Sequence, residues 1–215
     1  MEALDTRTRL VRTAMQLFWE KGYASTSIAD VLQHAQVNSG SLYHFFPGKQ
    51  DLLLAVLDQY HAGIYPMLLE PAWQGVIDPI ERVFALLARY RAALVDSECF
   101  YACPIGSLAL ELHEPDLAVR ERLAKNFTAW AGAIHRCLVD AGPRLPQGLD
   151  RLELAHFVLT TMEGGVMQAR TFRDVETFDG AVRQLRRYFK HLTAGRPYHK
   201  HRAPRGSRHR KTGAT

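Results

Sequence analysis

Between residues 22 and 54, apolar positions recur at the spacing of short helices. The first of these helices is predicted over residues 27–34, with a cap at Ser27 and an acidic capping-box partner, Asp30, three residues later. Its apolar face consists of Ile28, Val31, Leu32 and Ala35. Residues 6–21 show the same period over a longer stretch, which predicts a helix there as well.

A second short helix is predicted over residues 38–45. Gln36 and Val37 interrupt the apolar spacing, and Asn38 can cap the helix that follows. The residues expected to face inward are Leu42, Phe45 and Phe46. Two short helices that cross steeply around a tight turn make a helix-turn-helix when the second helix is polar on its outer side.

Helical spacing continues through the rest of the chain. A fourth helix is expected over residues 49–65, ending before Pro66, and the next prolines and glycine (Pro71, Gly75, Pro79) mark a connector. Later helices are predicted from Ile80 to Leu94, Cys103 to His113, Asp116 to Gly142, Leu152 to Ala169 and Phe178 to Leu192. No stretch alternates as a strand does, so the fold class is all-α.

This punctuation divides the chain into three parts. Residues 1–50 form the helix-turn-helix domain, the helix at about 49–65 connects, and residues 66–194 form a C-terminal helical region. Residues 195–215 hold seven Lys or Arg and no acid; without them 20 basic residues stand against 22 acidic ones, so the net charge of +5 becomes −2. Such a basic tail, poor in apolar residues, is expected to be disordered. It is either a solubilising terminus or a non-specific phosphate-binding arm.

The outward residues of the second short helix have the chemistry of a DNA-contacting surface. They are Ser39, Gly40, Ser41, Tyr43 and His44. No Lys, Arg, Asp or Glu lies between Asp30 and Lys49, so DNA reading would depend on amides, hydroxyls, methyl contacts and DNA shape rather than on arginine. The alternative is a packed pair of helices with ordinary caps.

Composition adds three expectations. No signal pattern and no run of eighteen apolar residues occurs, so no membrane partner and a cytoplasmic location are expected. The three cysteines are an odd number, which favours reduced thiols over a disulfide framework. Cys99, Cys103 and His113 lack the spacing of a tetrahedral site, so neither a metal nor another cofactor is expected.

Many residues of the N-terminal region stand in an order that is also found in a known family. They are Ala14, Leu17, Phe18, Gly22, Tyr23, Thr26, Ser27, Ala35, Val37, Gly40, Leu42, Tyr43, His44, Phe46, Lys49, Leu52 and Leu53. Over about residues 8–57 the chain therefore resembles TetR/AcrR-type transcriptional regulators. The run from Cys103 to Ala109 resembles the start of a ligand-domain helix in one branch of that family.

The resemblance implies a ligand-responsive regulator that binds double-stranded operator DNA. Tyr43 and Lys49 look like the family's phosphate contacts, and Thr26 like the one at the start of the preceding helix. The expected DNA-binding set is Thr26, Ser27, Asn38, Ser39, Gly40, Ser41, Tyr43, His44 and Lys49.

Residues 66–194 are, by the same resemblance, a ligand-binding and dimerisation domain. Operators contain two half-sites, so two reading heads are needed, and the implied homodimer forms a four-helix interface from the last two long helices of each subunit. Gly164 and Gly165 within a helix cost about 1 kcal/mol each relative to Ala, which indicates a close neighbour there. That neighbour is a helix of the same subunit, a helix of the second subunit, or a ligand.

A pocket for a small-molecule inducer is also implied by the resemblance. Its candidate residues are Phe84, Tyr101, Cys103, Phe127, Trp130, His156, Met162, Glu163, Met167 and Arg170, each of which has core packing as the alternative. Glu163 and Arg170 either meet a ligand or form a surface or interhelical bridge, because a buried charge needs a partner. This composition suits an apolar or aromatic molecule, and the expected action is repression that the ligand relieves.

Cys103 has a second possible role, as a sensor. It precedes Pro104 and is expected at a helix N-terminus, which lowers the pKa of a thiol and makes it reactive towards electrophiles or oxidants. Cys99 is the possible resolving partner. The alternative is that Cys103 is a small buried apolar residue.

Two other classes of protein remain as alternatives, a thiol-dependent helical enzyme and an interaction module without DNA binding. The chain has no phosphate loop, nucleophile elbow or HExxH motif, and no Ser/His/Asp set at a recognisable spacing. No enzymatic activity is therefore expected.

Overall fold

A computed structural model describes residues 5–194, and in that range the chain is helical without any strand, which confirms the all-α prediction. The helices are α1 (Thr6–Lys21), α2 (Ile28–Ala35), α3 (Ser39–Phe45), α4 (Lys49–Gly63), α5 (Glu70–Trp73), α6 (Pro79–Asp96), α7 (Pro104–Glu111), α8 (Leu117–Asp140), α9 (Arg151–Phe172) and α10 (Val175–Thr193). The predicted disorder and the two alternatives for residues 195–215 lie outside the described residues, and the three-part division of the chain stays a prediction.

Helices α1, α2 and α3 form a small three-helix unit. Leu10, Ala14 and Leu17 of α1 are buried, and Val31 of α2 and Leu42 of α3 are buried with them. Local caps set the helix ends, because a side-chain oxygen accepts an otherwise unpaired amide of each first turn: Asp5 for α1, Ser27 for α2 and Asn38 for α3.

One inward position of α3 was predicted wrongly. Phe46 is buried, but Phe45 leaves 38% of its surface exposed. Phe46 is the C-cap of α3 and has an extended backbone (φ −135°, ψ 106°), so helical spacing does not determine the directions of the Phe45 and Phe46 side chains. Leu42 and Phe46 are the large apolar residues of this segment that are buried.

The prediction that the fourth helix ends before Pro66 is wrong. After α4 the helix widens into a π turn over Ile64–Leu69, after which the Glu70 amide donates to the Tyr65 carbonyl. Proline clashes with the preceding turn of an α-helix and lacks an amide hydrogen, and a widened turn relieves both problems. The axis therefore continues past Pro66.

The continued helix makes the connector shorter than predicted. Pro71 falls in the first turn of α5, where a missing amide hydrogen costs no helical bond. By length and composition alone, Lys49–Trp73 is apolar enough to cross a membrane. One such helix is weak evidence of a span, and its residues Leu52, Val56 and Leu57 are buried within the described part of the chain.

The C-terminal helices are layered against α4. Helix α8 packs on both α4 and α9, and α10 packs along α9. Asn126 of α8 is 1% exposed, and its amide nitrogen donates to the carbonyls of Leu57 at 3.1 Å and Arg122 at 2.9 Å. This bond ties the long helix of the C-terminal region directly to α4.

Gly165 is the point at which α9 and α10 approach closely. A Cβ atom on Gly165 would lie 2.9 Å from Cδ2 of Phe178 and 3.7 Å from Cβ of Ala181. Apart from its chain neighbours and the adjacent backbone of α9, no atom of the described residues comes within 4 Å of the same position on Gly164. The close neighbour indicated by the sequence is therefore α10 of the same subunit, and Gly165 is the glycine that contacts it.

We expect Gly165→Val to lower the free energy of unfolding by about 1–3 kcal/mol, because the new side chain overpacks the buried Phe178 ring. Gly164→Ala is the matched control and should be neutral or raise stability by up to about 1 kcal/mol through helix propensity. Urea unfolding followed by circular dichroism measures both. Equal effects of the two changes would contradict the assigned contact.

Candidate DNA-binding surface and effector cavity

Helix α2 begins in a complete capping box. The Ser27 hydroxyl oxygen accepts the Asp30 amide at 3.1 Å, and a carboxylate oxygen of Asp30 accepts the Ser27 amide at 2.7 Å. Hydrogen bonds from the Ser27 hydroxyl and amide hold the pKa of Asp30 below its usual value. Ser27 is exposed but is already engaged in this cap, so its amide and hydroxyl are fixed in direction.

The turn between α2 and α3 is closed by two local bonds. Gln36 adopts a left-handed conformation with φ of 52°, and the Val37 amide donates to the Leu32 carbonyl at 3.1 Å. The Asn38 side-chain oxygen then accepts the Ser41 amide at 2.8 Å and starts α3. These bonds fix the turn that leads from α2 into α3.

The expected DNA-facing residues of α3 share one open surface. Asn38, Ser39, Gly40 and His44 are exposed, Ser41 is half-buried, and Tyr43 leaves 54% of its surface exposed. Together with Ser27 they form what we call the reading surface. Its residues are accessible to a DNA groove, and their contact with DNA stays a prediction.

Thr26 does not belong to this surface, and its predicted role is corrected. Its residue is 0% exposed, and its hydroxyl donates to the Gly22 carbonyl at 2.7 Å and lies 3.3 Å from the Leu17 carbonyl. A buried hydroxyl that closes the turn after α1 cannot reach a phosphate. Thr26 therefore acts on the reading surface only through the position of α2.

Lys49 is half-buried at the start of α4. Its ammonium group lies 4.2 Å from the centre of the Tyr23 ring, and partial burial lowers its pKa. A cation over an aromatic face is held in place while its hydrogens stay available to an anion. This arrangement is compatible with the expected phosphate contact.

Helix α7 contacts the helix-turn-helix unit directly. The Glu111 carboxylate accepts the Tyr23 amide at 2.9 Å and the Ala24 amide at 2.6 Å. Gly22, with φ of 89°, leaves room for this approach, because a Cβ there would lie 3.2 Å from both Glu111 oxygens. We call this set of contacts the Glu111 bridge. Local sequence could not reveal it, since the partners lie 87 and 88 residues apart.

A cavity of about 760 Å³ lies between the end of α1, helix α7 and helix α9, and we call it the effector cavity. Of the ten predicted ligand residues, those that line it are Cys103, Phe127, His156, Glu163, Met167 and Arg170. Sequence reasoning missed its α1 wall, which contains Phe18 and Trp19. The volume is in the range typical of small-molecule sites.

The remaining predicted ligand residues lie elsewhere. Tyr101 and Trp130 line a second cavity of about 380 Å³ that borders α4, α6 and α8. Phe84 is 4% exposed and contacts Phe189 at 5.3 Å between ring centres, while Met162 is 1% exposed. Phe84 and Met162 line neither cavity, so core packing is the role that the structure gives them.

Cys103 lies at the helix N-terminus, as predicted, but the pKa of its thiol is shifted in the opposite direction. It is the N-cap of α7, and its sulfur accepts the Gly106 amide at 3.3 Å. However, the residue is 2% exposed, and burial followed by the nearby Glu163 carboxyl raises the pKa of the thiol well above its ordinary value. The predicted lowering of its pKa is therefore wrong, because desolvation outweighs the helix terminus.

Glu163 is a half-buried carboxyl that forms no salt bridge with the described residues. Its Oε1 atom is shielded from solvent and has no hydrogen-bond partner among the described residues. Its Oε2 atom lies against Gly106, where any side chain would collide with it. Burial raises the pKa of this carboxyl, and the neighbouring Cys103 thiol acts in the lowering direction. Arg170 forms no ion pair with Glu163, and its Nε atom donates to the Phe100 carbonyl at 3.2 Å.

The exposed helix-turn-helix and the internal cavity are the two parts of a ligand-responsive DNA-binding regulator, and known proteins match both. Residues 10–56 match the family described as bacterial regulatory proteins, tetR family. Residues 79–184 match the LmrA/YxaF-like transcriptional regulator C-terminal domain.

Individual relatives agree with these matches. An HTH-type transcriptional regulator of Mycobacterium tuberculosis is 33% identical over 187 residues, covering 84% of this chain and 92% of the relative. The HTH-type transcriptional repressor DhaR of Mycobacterium sp. strain GP1 is 24% identical, covering 83% and 89%. The chain belongs to the TetR family of transcriptional regulators, which gives the enzyme alternative no support.

Solved structures show the same fold. A TetR regulatory protein from Rhodobacter sphaeroides superposes with a TM-score of 0.77 at 23% identity, covering 85% of this chain and 98% of that one. The reduced form of NemR from Escherichia coli gives 0.74 at 22% identity, covering 86% and 96%.

We expect Glu163→Gln to stabilise the protein without ligand, and to do so more at about pH 8 than at about pH 4. The folded-state pKa of Glu163 is raised, so the wild type loses stability as pH rises from the unfolded-state pKa through the folded one. Glutamine has the same shape and no charge to bury. Urea unfolding at both pH values measures the difference.

The matched control is Glu153→Gln, which removes an exposed carboxylate from the first turn of the same helix. Its loss should be neutral or slightly destabilising at about pH 8, because a carboxylate there complements the helix dipole. A stability gain that does not change with pH for Glu163→Gln would contradict the assigned burial of a charge.

Proposed function

We propose that this protein is a homodimeric repressor that occupies a two-half-site operator and leaves it when a small molecule enters the effector cavity. The observation that carries the proposal is the shared helix α7. It lines the cavity at Cys103 and Gly106 and holds the turn after α1 through Glu111. The cavity and the reading surface are therefore linked by one short element.

A ligand acts in this scheme only if it binds one arrangement of α7 better than another. Trp19 supports the link from the other side, since its indole nitrogen donates to the Ala102 carbonyl at 2.7 Å and its ring stacks on Tyr101 at 4.1 Å. A displacement of α7 would change these contacts together with the Glu111 bridge. The orientation of the reading surface would change with them.

The proposed dimer uses α9 and α10. Large apolar side chains on these helices remain exposed in the single chain, namely Leu152, Phe157, Phe172 and Tyr188. Phe157 and Tyr188 contact each other edge to face at 5.7 Å, which joins the two helices in one apolar surface. We propose that a second subunit covers this surface, that the dimer acts on DNA in the cytoplasm, and that it needs no membrane partner.

Of the two expected triggers, we favour ligand binding over thiol modification. Cys103 is buried, and its raised pKa leaves little of the nucleophilic thiolate. Cys99 is also buried with a raised pKa. A small molecule needs neither group to be reactive.

The first test is operator binding. The pure protein without ligand should protect a near-palindromic sequence close to its own or a neighbouring gene in a footprinting experiment. Tyr43→Ala should weaken binding to all DNA sequences by about fivefold to tenfold, because the lost contact is to phosphate. Fluorescence anisotropy on a set of operator variants measures this.

Tyr65→Ala, which removes an exposed tyrosine of the π turn, is the control and should leave DNA affinity unchanged. A loss confined to one base position would overturn the phosphate role of Tyr43. No preference for any genomic fragment over random duplex would overturn the proposed function itself.

We expect Glu111→Gln to reduce operator affinity by about tenfold in the absence of ligand. The amide side chain has one acceptor oxygen and no charge, so it cannot hold both the Tyr23 and the Ala24 amides. Glu114→Gln, an exposed carboxylate three residues away, should have no effect. Unchanged operator affinity in Glu111→Gln would show that the bridge does not orient the reading surface.

A further inference from the structure

The effector cavity contains a carboxyl oxygen, Oε1 of Glu163, that has no hydrogen-bond partner among the described residues. The Glu163 carboxyl lines the cavity, has no salt-bridge partner in the described residues, and makes no hydrogen bond through its shielded Oε1 atom. An unpaired buried charge is costly, and it is stabilised when an opposite charge or a donor reaches it. A ligand is the available source of such a group.

The charges around the cavity favour a cation over an anion. Besides Glu163, its ionisable lining residues are Glu20, Glu111, Lys21, Arg170 and His156. Three carboxylates therefore stand against one Lys and one Arg, with His156 exposed. Lys21 and Arg170 are exposed, whereas Glu163 is half-buried and its Oε1 atom is shielded from solvent without a hydrogen-bond partner among the described residues.

The apolar part of the wall is aromatic. Phe18 and Trp19 close the cavity on the α1 side, and Phe127 lines it from α8. Aromatic faces attract organic cations as well as flat apolar rings. The cavity volume of about 760 Å³ accommodates a fused-ring molecule with a short side chain.

We propose that the effector is an aromatic molecule with one positively charged amine, and that the amine pairs with Glu163 while the ring lies against the aromatic wall. This inference rests on the proposed function, because it assigns the ligand class of the same cavity. Gly106 is part of the site, since only a residue without a side chain lets the carboxylate lie against α7. A ligand that binds Glu163 therefore lies next to α7, the helix that forms the Glu111 bridge.

The test uses two probes that share one ring system and differ in the polar group, the cationic naphthylmethylamine and the neutral naphthylmethanol. Binding to the full chain is followed by isothermal titration calorimetry at about pH 7.5. We expect the amine to bind wild type at least about tenfold more tightly than the alcohol, as is typical of one charge-assisted hydrogen bond. Glu163→Gln should remove that preference and leave the alcohol affinity unchanged, whereas the control Glu153→Gln should keep it.

A second measurement does not depend on any variant. In wild type, the amine affinity should fall as pH is lowered through the titration of Glu163, and the alcohol affinity should stay level. The groups that face Glu163 in this range are the Cys103 thiol and the Tyr90 phenol, whose pKa values are both raised, so neither gains charge as pH falls. His156 also lines the cavity, and His156→Gln is the control for this residue.

Equal affinity of the two probes in wild type, or a preference that survives in Glu163→Gln, would overturn the proposed ligand class. Absence of binding by both probes would overturn it as well. Neither result bears on operator binding, which is measured on the protein without ligand. If the proposed function is wrong, that separate measurement shows no operator binding. Release of operator DNA by the amine but not by the alcohol would support both.

Discussion

The Glu111 carboxylate, bound to two consecutive backbone amides, is the constraint on which the arrangement of this regulator depends. Amides at Tyr23 and Ala24 belong to the turn between α1 and α2, so a single side chain fixes the helix-turn-helix unit against α7. A charged acceptor on backbone donors is stronger than a neutral pair, and its partners cannot rotate away as side chains do. Gly22 makes the approach possible through its positive φ and its missing side chain. The α4 helix and the Asn126 bond to Leu57 provide a second, broader attachment.

The other end of α7 faces a group that is not satisfied. Cys103 caps the helix, and Gly106 makes room for the Glu163 carboxylate of α9. Helix α7 is thus bonded through Glu111 at its C-terminal end and lies, near its start, against a half-buried carboxyl that has no salt bridge. An eight-residue helix has few contacts of its own to resist displacement. In the proposed mechanism, a change at Glu163 would reach the reading surface through this one short helix and would need no longer pathway.

Local features of this fold were predictable from sequence, and features that depend on distant residues were not. The caps at Ser27, Asn38 and Asp116 were read correctly, because a cap depends on residues within one turn. The burial of Thr26 and the raised pKa of Cys103 follow from packing against residues that no local pattern reveals. The predicted helix end before Pro66 was wrong because a proline ends a regular α-helix but is accommodated where the helix widens into a π turn.

The candidate cavity shows the same division. Helical spacing correctly placed Glu163, Met167 and Arg170 on one face of α9 that lines the cavity, since these residues are three, four and seven apart. It could not tell that Phe84 and Met162 face the core, and it missed the α1 wall, because the contacts of Trp19 span more than 80 residues of sequence.

The magnitudes are consistent with one ion pair acting as the switch. Reducing operator occupancy by a hundredfold requires about 2.7 kcal/mol of differential binding between two arrangements. A hydrogen bond to a charged group contributes about 1.5–3 kcal/mol net, and more where water is excluded. An effector that pairs with Glu163 in only one position of α7 therefore supplies enough free energy without large changes elsewhere. An aromatic ring alone gains similar free energy from burial in either arrangement, so it raises affinity but does not select a state. For this reason the Glu163 carboxyl, rather than the apolar wall, is the part of the cavity through which ligand binding can change operator affinity.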